Sequence, residues 1–243
     1  MTSRYVSLER KGEENNIFLI TLSKAPENRL NSEVCRDLIA AYRTAEQGLG
    51  QNVSGAVVLT TSSTKFFSTG LDLDERDSDK FASSDGFYPL LHTVLDFPFP
   101  TIVCITGHVF GGACLLTLAH DYRVMNSQRG YWQMPPVNVG LHHDGIGGLP
   151  RLKLGPRIAR KVLLEAHKYT GKEAKMDGIV DDVADPSVML EVAITVAETW
   201  KEKARMGVYG ILRDELWGKA RKNYAQNSFV HRKDTARKPV VKL

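Results

Sequence analysis

The chain has 243 residues, 42% hydrophobic, 25% charged and 8% aromatic, with a formal net charge of +4. Such a chain folds as one large domain, or a domain with a small appendage, and buries a sizeable core without disulfide or metal; a collagen-like or mostly disordered chain is excluded. No apolar run approaches the ~20 residues of a membrane span. Residues 1–11 lack the apolar stretch of a secretory signal, and three cysteines without paired spacing (Cys35, Cys104, Cys114) read as reduced thiols of an intracellular protein. The charge is uneven: residues 218–243 hold eight Lys or Arg against Asp234, a net +7 that leaves the rest at −3. That tail reads either as a solvated terminus or as a surface for an anionic group such as a phosphate. Nucleic acid is disfavoured, because the body is mildly acidic and carries no aromatic-interleaved basic motif.

In chain order, residues 16–22 (NIFLITL) are apolar and β-branched and predict a strand that ends at Ala25-Pro26. Asn31-Ser32 then serve as the N-cap of an amphipathic helix to about 47. Residues 55–60 (GAVVLT) form a short apolar run, as expected of a strand buried on both faces. Residues 65–68 are extended, and 72–86 (DLDERDSDKFASSDG) are acidic and serine-rich, which predicts a loop. A helix over 87–96 stops at Pro98 and Pro100. Strands are predicted at 101–106 and 121–126, with a glycine turn at 107–112 and a short apolar helix at 113–119 between them. Residues 130–143 read as irregular. Helices follow at 146–152, 156–166 and 171–177, then a strand at 178–183 and helices at 186–205 and 209–227. Short buried strands alternating with helices make an α/β protein. Neither GxGxxG after the first strand nor GxxxxGK[ST] is present, which counts against nucleotide folds.

Two strand-to-turn sites stand out, Phe67-Ser68-Thr69-Gly70-Leu71-Asp72-Leu73 and Gly107-His108-Val109-Phe110-Gly111-Gly112-Ala113-Cys114. Glycines there allow close backbone approach to a ligand and leave helix-start N–H groups available. Two converging N–H groups can hold an anion or form an oxyanion hole. The pair resembles the crotonase (enoyl-CoA hydratase/isomerase) superfamily, which carries F-[SA]-x-G-x-D-[LI] about forty residues before G-x-x-x-G-G. Asn28-Arg29-Leu30-Asn31, His120-Asp121-Tyr122-Arg123, the run Gly140 to Gly155 with Gly147-Gly148-Leu149-Pro150-Arg151-Leu152, and Thr170-Gly171 with Gly178-Ile179-Val180 extend the likeness over roughly residues 15–185. In the NRLN and HDY details it is most similar to the Δ3,Δ2-enoyl-CoA isomerases.

The resemblance implies a spiral of ββα repeats over 1–185, a helical region with the basic tail over 186–243, and assembly as a homotrimer or hexamer. It implies an acyl-CoA thioester as ligand, with coenzyme A part of the substrate and no separate cofactor or metal. The thioester oxygen would sit between the amides of Leu71 and Gly112. Ser68, Gly70, Asp72, Leu73, Gly111, Pro136 and Trp132 would border the substrate, and Lys219, Arg221 and Lys222 would face the CoA phosphates.

The sequence also departs from the family. The two hydratase glutamate positions map to Leu115 and Pro136, so paired acid–base addition of water is not expected, and the usual isomerase acid is absent too. One carboxylate remains in the block: Asp144, in G-L-H-H-D-G, resembling the active-site aspartate of dienoyl-CoA isomerases and the nucleophile of superfamily dehalogenases. Asp144 is the candidate proton shuttle, with a helix cap at 146 as its other reading; His143 and His142 are further proton-transfer candidates. The leading expectation is an enoyl-CoA isomerase working through a dienolate. The alternatives are an Asp-nucleophile hydrolase or dehalogenase, or a non-catalytic acyl-CoA-binding oligomer. The terminal Val241-Lys242-Leu243 resembles the S-K-L peroxisomal address with Val in place of a small residue, so the peroxisome is a candidate compartment beside the cytoplasm.

Overall fold

A computed structural model describes residues 3–79, 81–142 and 145–231, with side chains to 225. Strands β1 (Val6–Lys11) and β2 (Ile17–Leu22) form an antiparallel pair, and α1 (Ser32–Leu49) crosses to β3 (Ala56–Thr61), parallel to β2. Asn31 caps α1, its Oδ1 accepting from the Val34 amide at 2.9 Å. Val34, Cys35, Leu38, Tyr42 and Ala45 put one face of α1 into the core.

Three successive strand pairs then set the architecture. β3 is followed by β4 (Phe66–Ser68), β5 (Thr101–Ile105) by β6 (His108–Phe110), and β7 (Tyr122–Asn126) by β8 (Tyr131–Gln133). The first member of each pair joins a large sheet and the second a small one. With β9 (Tyr169–Thr170) and β10 (Asp182–Ala184), the orders are β1-β2-β3-β5-β7-β10 and β4-β6-β8-β9. Between the pairs run α2 (Leu73–Ser78), a π-helical turn (Ser83–Phe87), α3 (Tyr88–Asp96) and α4 (Gly112–Ala119). After β8 come α5 (Pro136–Val139), α6 (Gly148–Lys153), α7 (Pro156–Leu163), α8 (Gly171–Met176), α9 (Met189–Trp200) and α10 (Val208–His231). This is the α/β spiral of ββα turns with a helical C-terminal part that the sequence implied. The inner strands of the large sheet are apolar on both faces because α1 and α3 cover one side and α9 the other.

Several elements differ from expectation. β1 was hidden in a polar segment because it is an edge strand that buries only Val6 fully. The acidic stretch 72–86 is largely helical: Asp74 and Asp77 are exposed on α2, Glu75 accepts from the Ser32 amide at 2.9 Å, and Ser84, Gly86 and Phe87 are buried against α1. A Cβ on Gly86 would stand 3.0 Å from the Ser32 Cα. The irregular 130–143 region contains β8 and α5, too short to leave a periodic trace. The helix expected from 146 starts at Gly148, preceded by Gly147.

A buried polar pair joins the end of α4 to α1. His120 is fully buried, its Nδ1 paired with the Leu116 carbonyl at 2.8 Å and its Nε2 with the Tyr42 hydroxyl at 2.6 Å. Burial pushes this imidazole down to about 3 from an ordinary value near 6.5. The native state therefore holds His120 neutral, while the unfolded chain takes up a proton as pH falls below about 6.5. Stability is then flat above neutrality and declines between about pH 6.5 and pH 3. Going from about pH 7 to pH 5 is expected to cost about 2 kcal/mol through this residue. Urea unfolding at the two pH values checks it: His120→Gln should lose most of the difference, and an undiminished difference would assign it to other groups.

Candidate active site

The site is built from two loops, each leaving a parallel strand of the small sheet. β4 runs into Thr69-Gly70-Leu71-Asp72, and β6 runs through Gly111 into α4. Gly70 has φ +92° and Gly111 φ +55°, a region that glycine enters without strain. The loops touch at Gly70: a Cβ there would lie 2.6 Å from the Phe110 carbonyl oxygen and 2.9 Å from the Gly112 nitrogen. Both neighbours are backbone and cannot swing away, so only glycine lets the loops meet. On the other side, a Cβ on Gly112 would lie 3.1 Å from Leu71 Cγ and 3.2 Å from Phe87 Cζ.

The outcome is two backbone amides on adjoining loops. Gly112 opens α4, where the first-turn N–H groups have no intrahelical acceptor and the helix dipole adds positive potential. Leu71 forms a lone parallel bridge with Leu30, in which the Leu30 amide donates to Gly70 O (2.8 Å) and the Asp72 amide to Leu30 O (3.2 Å). In such a bridge Leu71's own N–H points away from Leu30. Among the described residues, neither the Leu71 nor the Gly112 amide has an acceptor. An oxygen that gains negative charge between them would be stabilised by about 3–4 kcal/mol per donor. A narrow cleft beside Leu71 is bordered by Leu30, Asp72, Glu75, Arg76, Ala82 and Phe87.

The other expected residues fall as follows. Ser68 is fully buried, its Oγ donating to Asn28 O at 2.7 Å and accepting from the Gly70 amide at 3.1 Å, so its hydroxyl is turned into the loop. Asp72 faces Lys24 (3.5 Å) and Arg29 (3.9 Å), and Leu73 is exposed at the start of α2. Pro136 opens α5, three residues beyond Gln133, whose carbonyl accepts from the Gly111 amide at 3.1 Å. Trp132 is fully buried in the core, its Nε1 donating to Thr117 Oγ1 at 3.0 Å. Leu115 is buried in α4. Cys114 is a buried thiol that burial pushes well above the ordinary range, as befits packing rather than reactivity. His142 is exposed. Asp144 and His143 lie outside the described residues, as does the basic tail beyond 231. Arg221 is held by Asp96 and Asp214, each at 2.9 Å, leaving Lys219 and Lys222 as the exposed cations of that turn. Among the described residues no cluster of His, Cys, Asp or Glu could hold a metal, and no helix is long and apolar enough to cross a membrane.

The arrangement of β4, β6 and the two glycine loops can be set beside known proteins. The family model for enoyl-CoA hydratase/isomerase matches residues 12–235. The chain belongs to the enoyl-CoA hydratase/isomerase family. Enoyl-CoA delta isomerase 3 of Arabidopsis thaliana is 33% identical over 87% of this chain and 91% of its own length. The peroxisomal enoyl-CoA delta isomerase 2 of the same plant is 32% identical over the same shares. The 2,3-dehydroadipyl-CoA hydratase of Escherichia coli is 29% identical over 76% of this chain and 72% of its own. Among solved structures, an apo enoyl-CoA isomerase of Mycobacterium tuberculosis superposes with a TM-score of 0.84, covering 96% of this chain and all of that one at 22% identity. The fold is thus the crotonase fold, and the chain is an acyl-CoA enzyme of the enoyl-CoA hydratase/isomerase family.

Sequence reasoning missed the group that supports the Leu71 loop. Asn28 is 1% exposed, and its side chain and carbonyl hold β4 and Ser68. Its only trace in the sequence was the NRLN string, which carried resemblance without a role.

Proposed function

We propose that this family member is an enoyl-CoA isomerase. It moves a carbon–carbon double bond of an enoyl thioester through a dienolate whose oxygen is held by the Leu71 and Gly112 amides. Asp144 takes the proton from one carbon and returns it to another, with His142 and His143 as neighbouring candidates for proton transfer. The observation that carries this reading is the pair of acceptor-free amides on the loops joined at Gly70. Such donors stabilise charge on a thioester oxygen, which develops when a neighbouring carbon loses a proton. Leu115 and Pro136 supply no carboxylate at the positions where the family resemblance places the hydratase pair, which favours proton relocation over water addition. Relatives named as delta isomerases support the same choice.

Gly70, Leu73, Gly111 and Pro136 border the acyl-CoA in this reading, with CoA entering as part of the substrate and no added cofactor. The exposed apolar row Val208, Ile211, Leu212 and Leu216 on α10 suits contact between copies, in a homotrimer or hexamer. The peroxisomal relative supports a peroxisomal location.

The test is incubation of the protein with 3-hexenoyl-CoA and with 2,4- and 3,5-dienoyl-CoA in deuterated water. The expected result is a shifted double bond and deuterium at the α or γ carbon. Binding of every thioester with neither turnover nor exchange would favour the acyl-CoA-binding oligomer. An ester trapped on Asp144 would favour the nucleophilic alternative.

A further inference from the structure

The geometry points to Asn28 as a positioning residue that aims the Leu71 amide. Residues 27–30 run alongside the donor loop, and Glu27, Asn28 and Leu30 bond to it. The Thr69 amide donates to Glu27 O (3.0 Å), Ser68 Oγ to Asn28 O (2.7 Å), and the Leu30 amide to Gly70 O (2.8 Å). The last of these decides the direction of the donor. Gly70 C=O and Leu71 N–H belong to one planar peptide and point in opposite directions. Holding the carbonyl toward Leu30 turns the N–H away from that segment, with the Gly112 amide of the adjoining loop as the second donor.

Asn28 fixes this segment from inside the protein. It is 1% exposed, and all of its side-chain groups are engaged. Nδ2 donates to Phe66 O (3.2 Å) and Phe67 O (3.1 Å), and Oδ1 accepts from the Lys24 amide (2.8 Å). The side chain therefore ties the end of β4 to the turn that starts at Lys24, while its backbone carbonyl receives Ser68 Oγ. Ser68 Oγ in turn accepts from the Gly70 amide, so two hydrogen bonds link the Asn28 carbonyl to the Thr69–Gly70 peptide, one peptide before the Leu71 N–H. Asn28 has φ +49°, so the left-handed backbone puts side chain and carbonyl to work on the same strand end. On the outer side Asp72 faces Lys24 and Arg29, closing the same two segments with ion pairs. A buried, fully bonded amide is a stiff support, because any displacement leaves polar groups unsatisfied.

This inference rests on the proposed oxyanion role of Leu71, and the experiment keeps the two apart. Asn28→Gly is the informative variant, since glycine accepts φ +49° without strain and only the side-chain bonds are lost. Two readouts are taken on folded protein: the carbonyl stretch of bound hexanoyl-CoA, isotope-labelled at the thioester, and steady-state turnover of 3-hexenoyl-CoA. Wild type should shift the stretch to lower frequency. Asn28→Gly should lose most of that shift and lower kcat at least about tenfold, with KM changed by less than about threefold. A merely structural residue would lower the amount of folded protein without altering the stretch of what remains. If Asn28→Gly does not fold, Ser68→Ala carries the test, with a partial loss of the shift expected. A full shift with unchanged kcat in the folded variant overturns the positioning role. Absence of any shift in wild type overturns the donor reading, and the inference falls with it.

Discussion

An Asp144→Asn protein is expected to turn over 3-hexenoyl-CoA about a hundredfold more slowly than wild type, or slower still, while binding hexanoyl-CoA as tightly. The change removes the proton-accepting group and nearly nothing else: Asn has the same shape and is as good a helix cap as Asp. A structural role for residue 144 would therefore survive the substitution and a proton-transfer role would not. Affinity should hold because the donors proposed for the thioester oxygen are backbone amides at Leu71 and Gly112, untouched by the mutation. Parallel His142→Gln and His143→Gln variants place the remaining proton transfers. An unchanged rate in Asp144→Asn would remove this residue from the chemistry.

The second large effect concerns stability. Asp121 and Arg213 form a buried ion pair at 2.9 Å that fastens α10 to the large sheet. Asp121 Oδ2 also accepts from the Thr101 amide (3.0 Å), Thr101 Oγ1 (3.1 Å) and the Tyr209 hydroxyl (3.1 Å). The guanidinium reaches the carbonyls of Val94, Leu95 and Phe97, the last at short range. Burial alone would raise the Asp121 carboxyl, but the charges of Arg213 and Lys153 together hold it below the ordinary range. Its stabilisation is accordingly present above the unfolded value near 3.9 and is lost as pH falls through the lower, folded value.

Asp121→Asn leaves Arg213 buried without its counter-charge and should cost about 3–5 kcal/mol, a large part of the roughly 5–15 kcal/mol that holds a domain together. Urea unfolding at neutral pH measures it. Replacing both partners, Asp121→Leu with Arg213→Met, should cost less than the single change, because no unpaired charge remains. A single-variant loss below about 1 kcal/mol would contradict the buried-pair account.

The contrast between Asp72 and Asp121 marks how far the sequence could be read. Both were visible in family-like strings, D-L after the first glycine turn and H-D-Y-R after the second. Only the fold shows that Asp72 faces Lys24 and Arg29 at the surface while Asp121 anchors a helix 92 residues away at Arg213.

Local pattern determined the buried strands at β2, β3, β5 and β7, the helix with Asn31 at its head, and the two glycine turns. Their hydrophobic runs, caps and turn residues act over a few positions and so leave a trace in the sequence. The order and spacing of those turns also carried the resemblance to the family that the family model and the relatives show. Tertiary structure alone decided the rest. The three-residue strands of the small sheet are too short to show a period, and the acidic 72–86 stretch is helical because its few apolar residues find α1. The site itself is a long-range product. Gly70 matters because it meets Phe110 and Gly112, and the Leu71 amide points where it does because the Leu30 amide, some forty residues earlier, holds the carbonyl on the other side of its peptide.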